Sequence, residues 1–197
     1  MLSLKIFAVF ILCFAFLNGC ANDPKISITA DQSVLNKLTR ISVINFKDAP
    51  GAETGSSGSI VANAVTLELM KVPSVILVER KKLHSILEEI KLGMSGLTDE
   101  KQAIKVGKLL GANAVILGTT SQFGTSTIPI FLGLFTVYKD VYNVAADIRI
   151  VDVETGMVVF SGSNSASSTQ SYEDAASKVA QGIVAKYGEA VSRTCIQ

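Results

Sequence analysis

The chain predicts an α/β (α+β) fold, a single mixed β-sheet flanked by helices in the order β-α-β-α-α-β-β-β-α. Three observations carry this reading. Short β-branched runs at 41–44 and 75–78 alternate with longer stretches of helical period, as strand-helix units of a sheet do. Tyr142, Val144, Ala146, Ile148 and Ile150 alternate with Asn143, Ala145, Asp147, Arg149 and Val151, the period of a strand covered on one face. The chain then closes on a helix whose small and apolar residues, from Ala175 to Val191, keep to one face.

The first element is not part of the domain. Lys5 precedes twelve uninterrupted apolar residues from Ile6 to Leu17, followed by Asn18, Gly19 and Cys20. A spanning helix needs roughly 20 apolar residues and a signal peptide about 7–15, so residues 1–19 read as a secretory signal. Leu17-Asn18-Gly19-Cys20 resembles the lipobox of bacterial lipoproteins, which implies that Cys20 carries the lipid. Each buried methylene contributes about 0.8 kcal/mol, so two or three acyl chains hold permanently where one does not. No aspartate follows Cys20 directly, which resembles the default for sorting to the outer membrane.

Residues 20–37 are polar and read as the lipidated N-terminus and tether, leaving 38–197 as one domain. Its first strand covers Leu38 to Phe46, and a glycine- and serine-rich loop from Gly51 to Gly58 leads into an apolar helix over 60–70. Val75 to Val78 reads as a buried strand. A helix through Lys91 follows, with Leu83, Ile86, Leu87 and Ile90 on one stripe. Thr98-Asp99-Glu100 opens the next helix, which ends at Leu110 with Gly111 as its cap, and Ala114 to Leu117 begins another strand. After the 142–150 strand, Glu154-Thr155-Gly156 has the length and glycine of a hairpin turn, and Met157 to Ser161 returns antiparallel. Gly162 to Gln170 reads as a polar connector, and Ser171 with Asp174 as a capping box for the last helix.

Composition excludes several functions. Removing residues 1–19 from the 197 leaves 178 and takes only Lys5, so 17 basic residues face 17 acidic ones. That neutrality argues against a nucleic-acid footprint and against a polybasic membrane patch. Cys13 leaves with the signal and Cys20 is acylated, so Cys195 has no partner for an internal disulfide and reads as a tail residue. His84 is the only histidine and reads as a surface residue, so neither a histidine-rich metal site nor relay catalysis is available. Gly55-Ser56-Ser57-Gly58-Ser59 lies between a strand and a helix but lacks the G-K-[ST] ending of a phosphate cradle, and a helix-entry turn explains it. Asp147 and Arg149 read as a surface pair, with each other or across strands, and Glu88 and Glu89 as solvated charge. No catalytic residue, cofactor, metal or small-molecule substrate is expected.

Val78-Glu79-Arg80 with Leu83, Ser95-Gly96-Leu97-Thr98-Asp99, Gly107-Lys108-Leu109-Leu110-Gly111-Ala112 and Leu117-Gly118-Thr119 form a specific set. With Ile41 to Phe46 and Val151-Asp152-Val153-Glu154-Thr155-Gly156, they resemble the curli production assembly/transport (CsgG) family over about residues 38–163. The resemblance implies a non-enzymatic lipoprotein anchored in the outer membrane, with its domain on the periplasmic side. In the curli member, subunits form a ring and each adds transmembrane hairpins to a pore.

Here the first hairpin would fall in Gln122 to Asn143, whose run Ile128-Pro129-Ile130-Phe131-Leu132-Gly133-Leu134-Phe135 is apolar on both faces and is interrupted by Pro129 and Gly133. The second would fall in Gly162 to Gln170, too short and polar to span a bilayer. The expectation is therefore the periplasmic domain without the pore. Ile128, Ile130, Phe131, Leu132, Leu134 and Phe135 are the candidate interaction or membrane segment, open between a contact surface, an added core hairpin and a membrane-touching loop.

The expected partners are the outer membrane through the N-terminal lipid and either further copies of the chain or an envelope protein, met through residues 128–138 and the alanine-rich last helix. A second expectation has the same fold regulate a cell-wall synthase, as a penicillin-binding protein activator does.

Overall fold

The computed structural model describes residues 32–35, 37–52, 56–78 and 100–193. Its elements are α1 (Gln32–Leu35), β1 (Arg40–Val43), α2 (Ser57–Leu69), β2 (Ile76–Leu77), α3 (Glu100–Leu110), β3 (Ala114–Leu132), β4 (Phe135–Asp152), β5 (Val158–Ser168) and α4 (Tyr172–Arg193). The expected helix over 80–91, with His84, lies outside the described residues, as do Cys20 and Cys195.

The strands form one mixed sheet in the order β2-β1-β3-β4-β5. β1 runs parallel to β2 and β3, and β3, β4 and β5 follow antiparallel. Helices cover both faces. Ile41, Val43, Ala114, Ile116, Val144, Ala146, Ile148 and Ile150 point to one side, where α2 and α4 bury them with Val61, Val65, Val179 and Ile183. Ile44, Val115, Leu117, Val151 and Val153 point to the other, where Ala103 and Val106 of α3 close a smaller core. β4 shows the predicted alternation, because its even-numbered residues from Val144 to Ile150 are all buried.

Several expectations change. β2 is two residues long and takes an edge of the sheet, where Ile76 is 61% exposed, so composition overstated a buried strand over 75–78. Gly162 to Gln170 is not a connector, because β5 continues to Ser168 and pairs with β4 as far as Tyr142. Its inward residues Gly162, Asn164 and Ser168 are small or polar and sit against α4. The Asn164 amide donates to the Val179 carbonyl at 3.1 Å, and the Ser168 hydroxyl donates to Asp174 at 2.6 Å. The place expected for a second hairpin is thus an edge strand leading directly into α4.

At the N-terminal side, Leu35 of α1 is buried in the main core beside Leu38, so the last residues of the expected tether pack on the domain. The 152–157 turn forms as expected. Gly156 takes φ +74°, and both carboxylate oxygens of Asp152 accept bonds inside the turn, from the Glu154 N–H and the Thr155 hydroxyl. The alanine face of α4 is core, with Ala175, Ala176 and Ala180 fully buried. That leaves only the outward side of α4 for the docking expected of this helix.

β3 and β4 are far longer than their neighbours. β3 begins with three partners of β1, carries a bulge between Thr120 and Gln122, and continues to Leu132 paired only with β4. At about 3.3 Å per residue it spans roughly 60 Å.

Candidate functional site: a ribbon at the end of the sheet

Beyond the last β4–β5 pair, Tyr142 with Ser168, residues 126–141 stand out as a two-stranded ribbon. The turn is Gly133-Leu134, because Leu132 pairs with Phe135, and Gly133 takes φ +68° as a two-residue hairpin turn demands. The run from Ile128 to Phe135 is therefore not one strand. It is the end of β3, a turn and the start of β4, which is why its hydrophobicity had no strand period.

Register sorts the side chains. Residues opposite one another share a face, so Ile128, Ile130 and Leu132 lie with Lys139, Val137 and Phe135. The other face holds Thr127, Pro129 and Phe131 with Asp140, Tyr138 and Thr136, and there Thr127 donates to Asp140 at 3.0 Å. One face is apolar except for Lys139, and the other is mixed. Phe131 (76%), Leu134 (96%) and Phe135 (73%) are the most exposed, while Ile128, Ile130 and Leu132 are also open. The structure thus brings five of the six predicted residues to the ribbon's strands and Leu134 to its tip. Exposure rules out the core-hairpin alternative.

Sequence reasoning missed what holds the ribbon. Tyr172, the first residue of α4, stacks on Phe123 with centroids 4.0 Å apart and meets Tyr142 edge-on at 4.9 Å. Its hydroxyl is 2.7 Å from that of Thr125. These contacts fasten the ribbon's base to the rigid helix, and an isolated two-stranded hairpin is marginal in water without such support.

Other candidate chemistry is accounted for. The Asp48 carboxylate accepts from the Ser57 hydroxyl at 2.9 Å and from the Gly58 N–H at 2.8 Å, so the N-terminus of α2 is filled by the protein's own anion. Ser56 stands in the turn that enters α2, and residues 53–55 of the expected helix-entry loop lie outside the described residues. Arg149 approaches Glu100 of α3 at 3.9 Å instead of pairing with Asp147. Among the described residues no group of His, Cys, Asp and Glu could hold a metal, and no helix is long and apolar enough to cross a membrane.

Among the described residues two grooves indent the body. One, of about 460 Å³, runs between the ends of α2 and α4 along Val72, Pro73, Val184 and Val191. The other, of about 360 Å³, lies at the opposite end of β3 from the ribbon, where Lys37, Arg40, Lys108, Asn113 and Glu154 line it.

A family model described as curli production assembly/transport component CsgG matches residues 24–196. No curated protein matches the chain. Among solved structures, the PelC dodecamer from Paraburkholderia phytofirmans is similar at TM-score 0.57 and 14% identity, covering 84% of this chain and 97% of that one. Lipoprotein GNA1162 from Neisseria meningitidis is similar at TM-score 0.52 and 18% identity, covering 77% and 99%. At these identities the likeness is one of fold.

Proposed function

This chain belongs to the curli production assembly/transport component CsgG family, and from that membership we propose that it is a non-enzymatic envelope lipoprotein that serves assembly or secretion of cell-surface structures. In this reading Cys20 carries the lipid, the outer membrane holds it, and the domain lies on the periplasmic side. The chain acts by self-association, or by docking to an envelope complex, through the ribbon at 126–141. One observation carries this reading: the ribbon's apolar face is open over its whole length. Five large apolar side chains on one face, Ile128, Ile130, Leu132, Phe135 and Val137, are costly in water unless something covers them. The similar fold of a protein solved as a dodecamer supports the choice of further copies as that cover.

The test is the mass of the lipidated protein extracted from outer membranes in mild detergent, by light scattering coupled to size exclusion. The expected result is an assembly of several copies, reduced to monomers by Leu132→Asp with Val137→Asp, both on that apolar face. Both side chains are exposed, so the body should keep its melting temperature. A wild-type monomer, or an assembly untouched by the double substitution, overturns the reading.

Regulation of a cell-wall synthase is the rival. The eleven residues between Cys20 and α1 can extend by at most about 3.3–3.6 Å each, roughly 40 Å in all. So short a reach speaks against a distant target. Recovery of a synthase from cross-linked cells would favour the rival.

A further inference from the structure

The ribbon's apolar face is too small to hold a second copy alone. Each side of a stable protein complex contributes about 20–30 residues, whereas that face offers five large apolar side chains and Lys139. A cover that holds must reach further, and the register shows where the face leads. Below Lys139 the same side of the sheet continues through a row of Gly124, Asn143 and Ser167 and a row of Gln122, Ala145 and Ser165. Past the bulge at Ser121 it goes on to Thr119 with Asp147, and then to Leu117 and Val151, which lie in the smaller core beneath α3. Among the described residues α3 is the one helix on this side, so the two rows form an open shelf between it and the ribbon.

Three properties set the shelf apart from surface made to face water. It is accessible, with Gln122, Ser165 and Ser167 exposed and Gly124, Asn143 and Ala145 half-buried. It is uncharged from Lys139 to Asp147, and depletion of charge marks the core of an interface. Its polar groups are also engaged with one another. The Asn143 amide donates to the Ser126 hydroxyl at 2.9 Å and to the Val141 carbonyl at 3.1 Å, and its oxygen accepts from the Ser167 hydroxyl at 2.8 Å. That chain of bonds crosses three strands. Covering it leaves the Asn143 amide paired, so the penalty of burying an orphaned polar group is avoided. The small side chains beside it let a neighbour's backbone approach closely.

We propose that the second copy covering the ribbon's apolar face also seats on this shelf, so that one contact runs from the ribbon's tip to the row of Ala145. The proposal rests on the self-association reading of the ribbon and names the rest of the surface which that association uses.

The test is light scattering on the lipidated protein in mild detergent, read over a dilution series. Gln122→Arg with Ser165→Arg places two cations on the exposed flanks of Ala145, where a seated copy would have to bury them. The concentration at which the assembly falls to monomers should rise on the order of a hundredfold. Gln122→Glu with Ser165→Glu should weaken it comparably, since burial of either sign is opposed. Ser177→Arg, exposed on α4 across the sheet from the shelf, should change nothing. Melting temperatures equal to that of the wild type show that each variant is folded.

A wild-type monomer overturns the ribbon reading and this proposal together. An assembly that Leu132→Asp with Val137→Asp dissociates, but that both shelf variants leave intact, overturns this proposal alone. Loss of assembly by Ser177→Arg overturns it as well, because the contact would then lie on the helical side. If the shelf variants instead shed a different protein while the copies stay together, the shelf belongs to that protein and the choice of a second copy is overturned.

Discussion

Replacing Tyr172 should loosen the ribbon while leaving the body folded. The ring makes two aromatic contacts, with Phe123 at 4.0 Å and Tyr142 at 4.9 Å, and such contacts contribute about 0.5–1.5 kcal/mol each. The hydroxyl pair with Thr125, at 2.7 Å on an exposed surface, adds roughly 0.5–1 kcal/mol. Tyr172→Ala should therefore cost about 2–3 kcal/mol, and Tyr172→Phe about 0.5–1 kcal/mol, since it removes only the hydroxyl pair.

The contacts sit at the ribbon's base, so the cost should fall on its local opening. At 1.4 kcal/mol per decade, opening rises roughly thirty- to a hundredfold in the alanine variant. Amide hydrogen exchange reads this directly. Residues 126–141 should lose protection in proportion, Tyr172→Phe should lie between alanine and wild type, and the amides of β1 and the first half of β3 should be unmoved. Refutation would be unchanged exchange in the ribbon beside a fall in global stability. That pattern would mean the ribbon is held by its own ladder and Tyr172 belongs to the body.

Two further outcomes follow from the packing. Burial of Tyr187 pushes its hydroxyl from 10.0 up to about 12, so its share of stability is whole below pH 10 and is lost as pH rises through 12. Two units correspond to about 2.7 kcal/mol, and Tyr187→Phe should flatten stability across that window in alkaline denaturation. The same slope in both proteins would sink the argument. A methyl added at Gly118 would lie 2.5–2.6 Å from ring atoms of Phe46, itself a core residue. Gly118→Ala should cost about 1–3 kcal/mol by overpacking and lower Tm, whereas Gly124→Ala, with nothing within 4 Å, should cost no such clash. Equal melting of the two would refute it.

What was legible depended on whether polarity marked the buried face. β4 was readable because its inward residues are apolar and Asn143, Asp147 and Arg149 face outward. α2, α3 and α4 were readable from periodicity and end signals. β5 was not, because Gly162, Asn164 and Ser168 are buried for size and hydrogen bonding and look like linker residues. β3 was recognised only at its start. The bulge at Ser121 moves the core-facing set from Ile116, Gly118 and Thr120 to Phe123 and Thr125, so no single alternation runs through the strand.

The ribbon residues were legible as an apolar run open between a contact surface, a core hairpin and a membrane-touching loop, and their faces needed the turn at Gly133 and the pairing across it. The cap of α2 was hidden because Asp48 sits nine and ten residues before the groups it binds.

β5 has a further consequence, because it borders the sheet with a partner on one side only. Proteins commonly guard such a border with lysine or proline, and Val158–Ser168 contains neither and no charge at all. In their place, Ser161, Ser163, Ser165 and Ser167 recur at every second position, so the side away from the main core carries hydroxyl groups, of which Ser167 donates to Asn143 at 2.8 Å. A guard made of charge weakens as ions screen it, whereas hydration of a hydroxyl is nearly indifferent to ionic strength. The colloidal behaviour of this margin should therefore be the same in dilute and in concentrated salt.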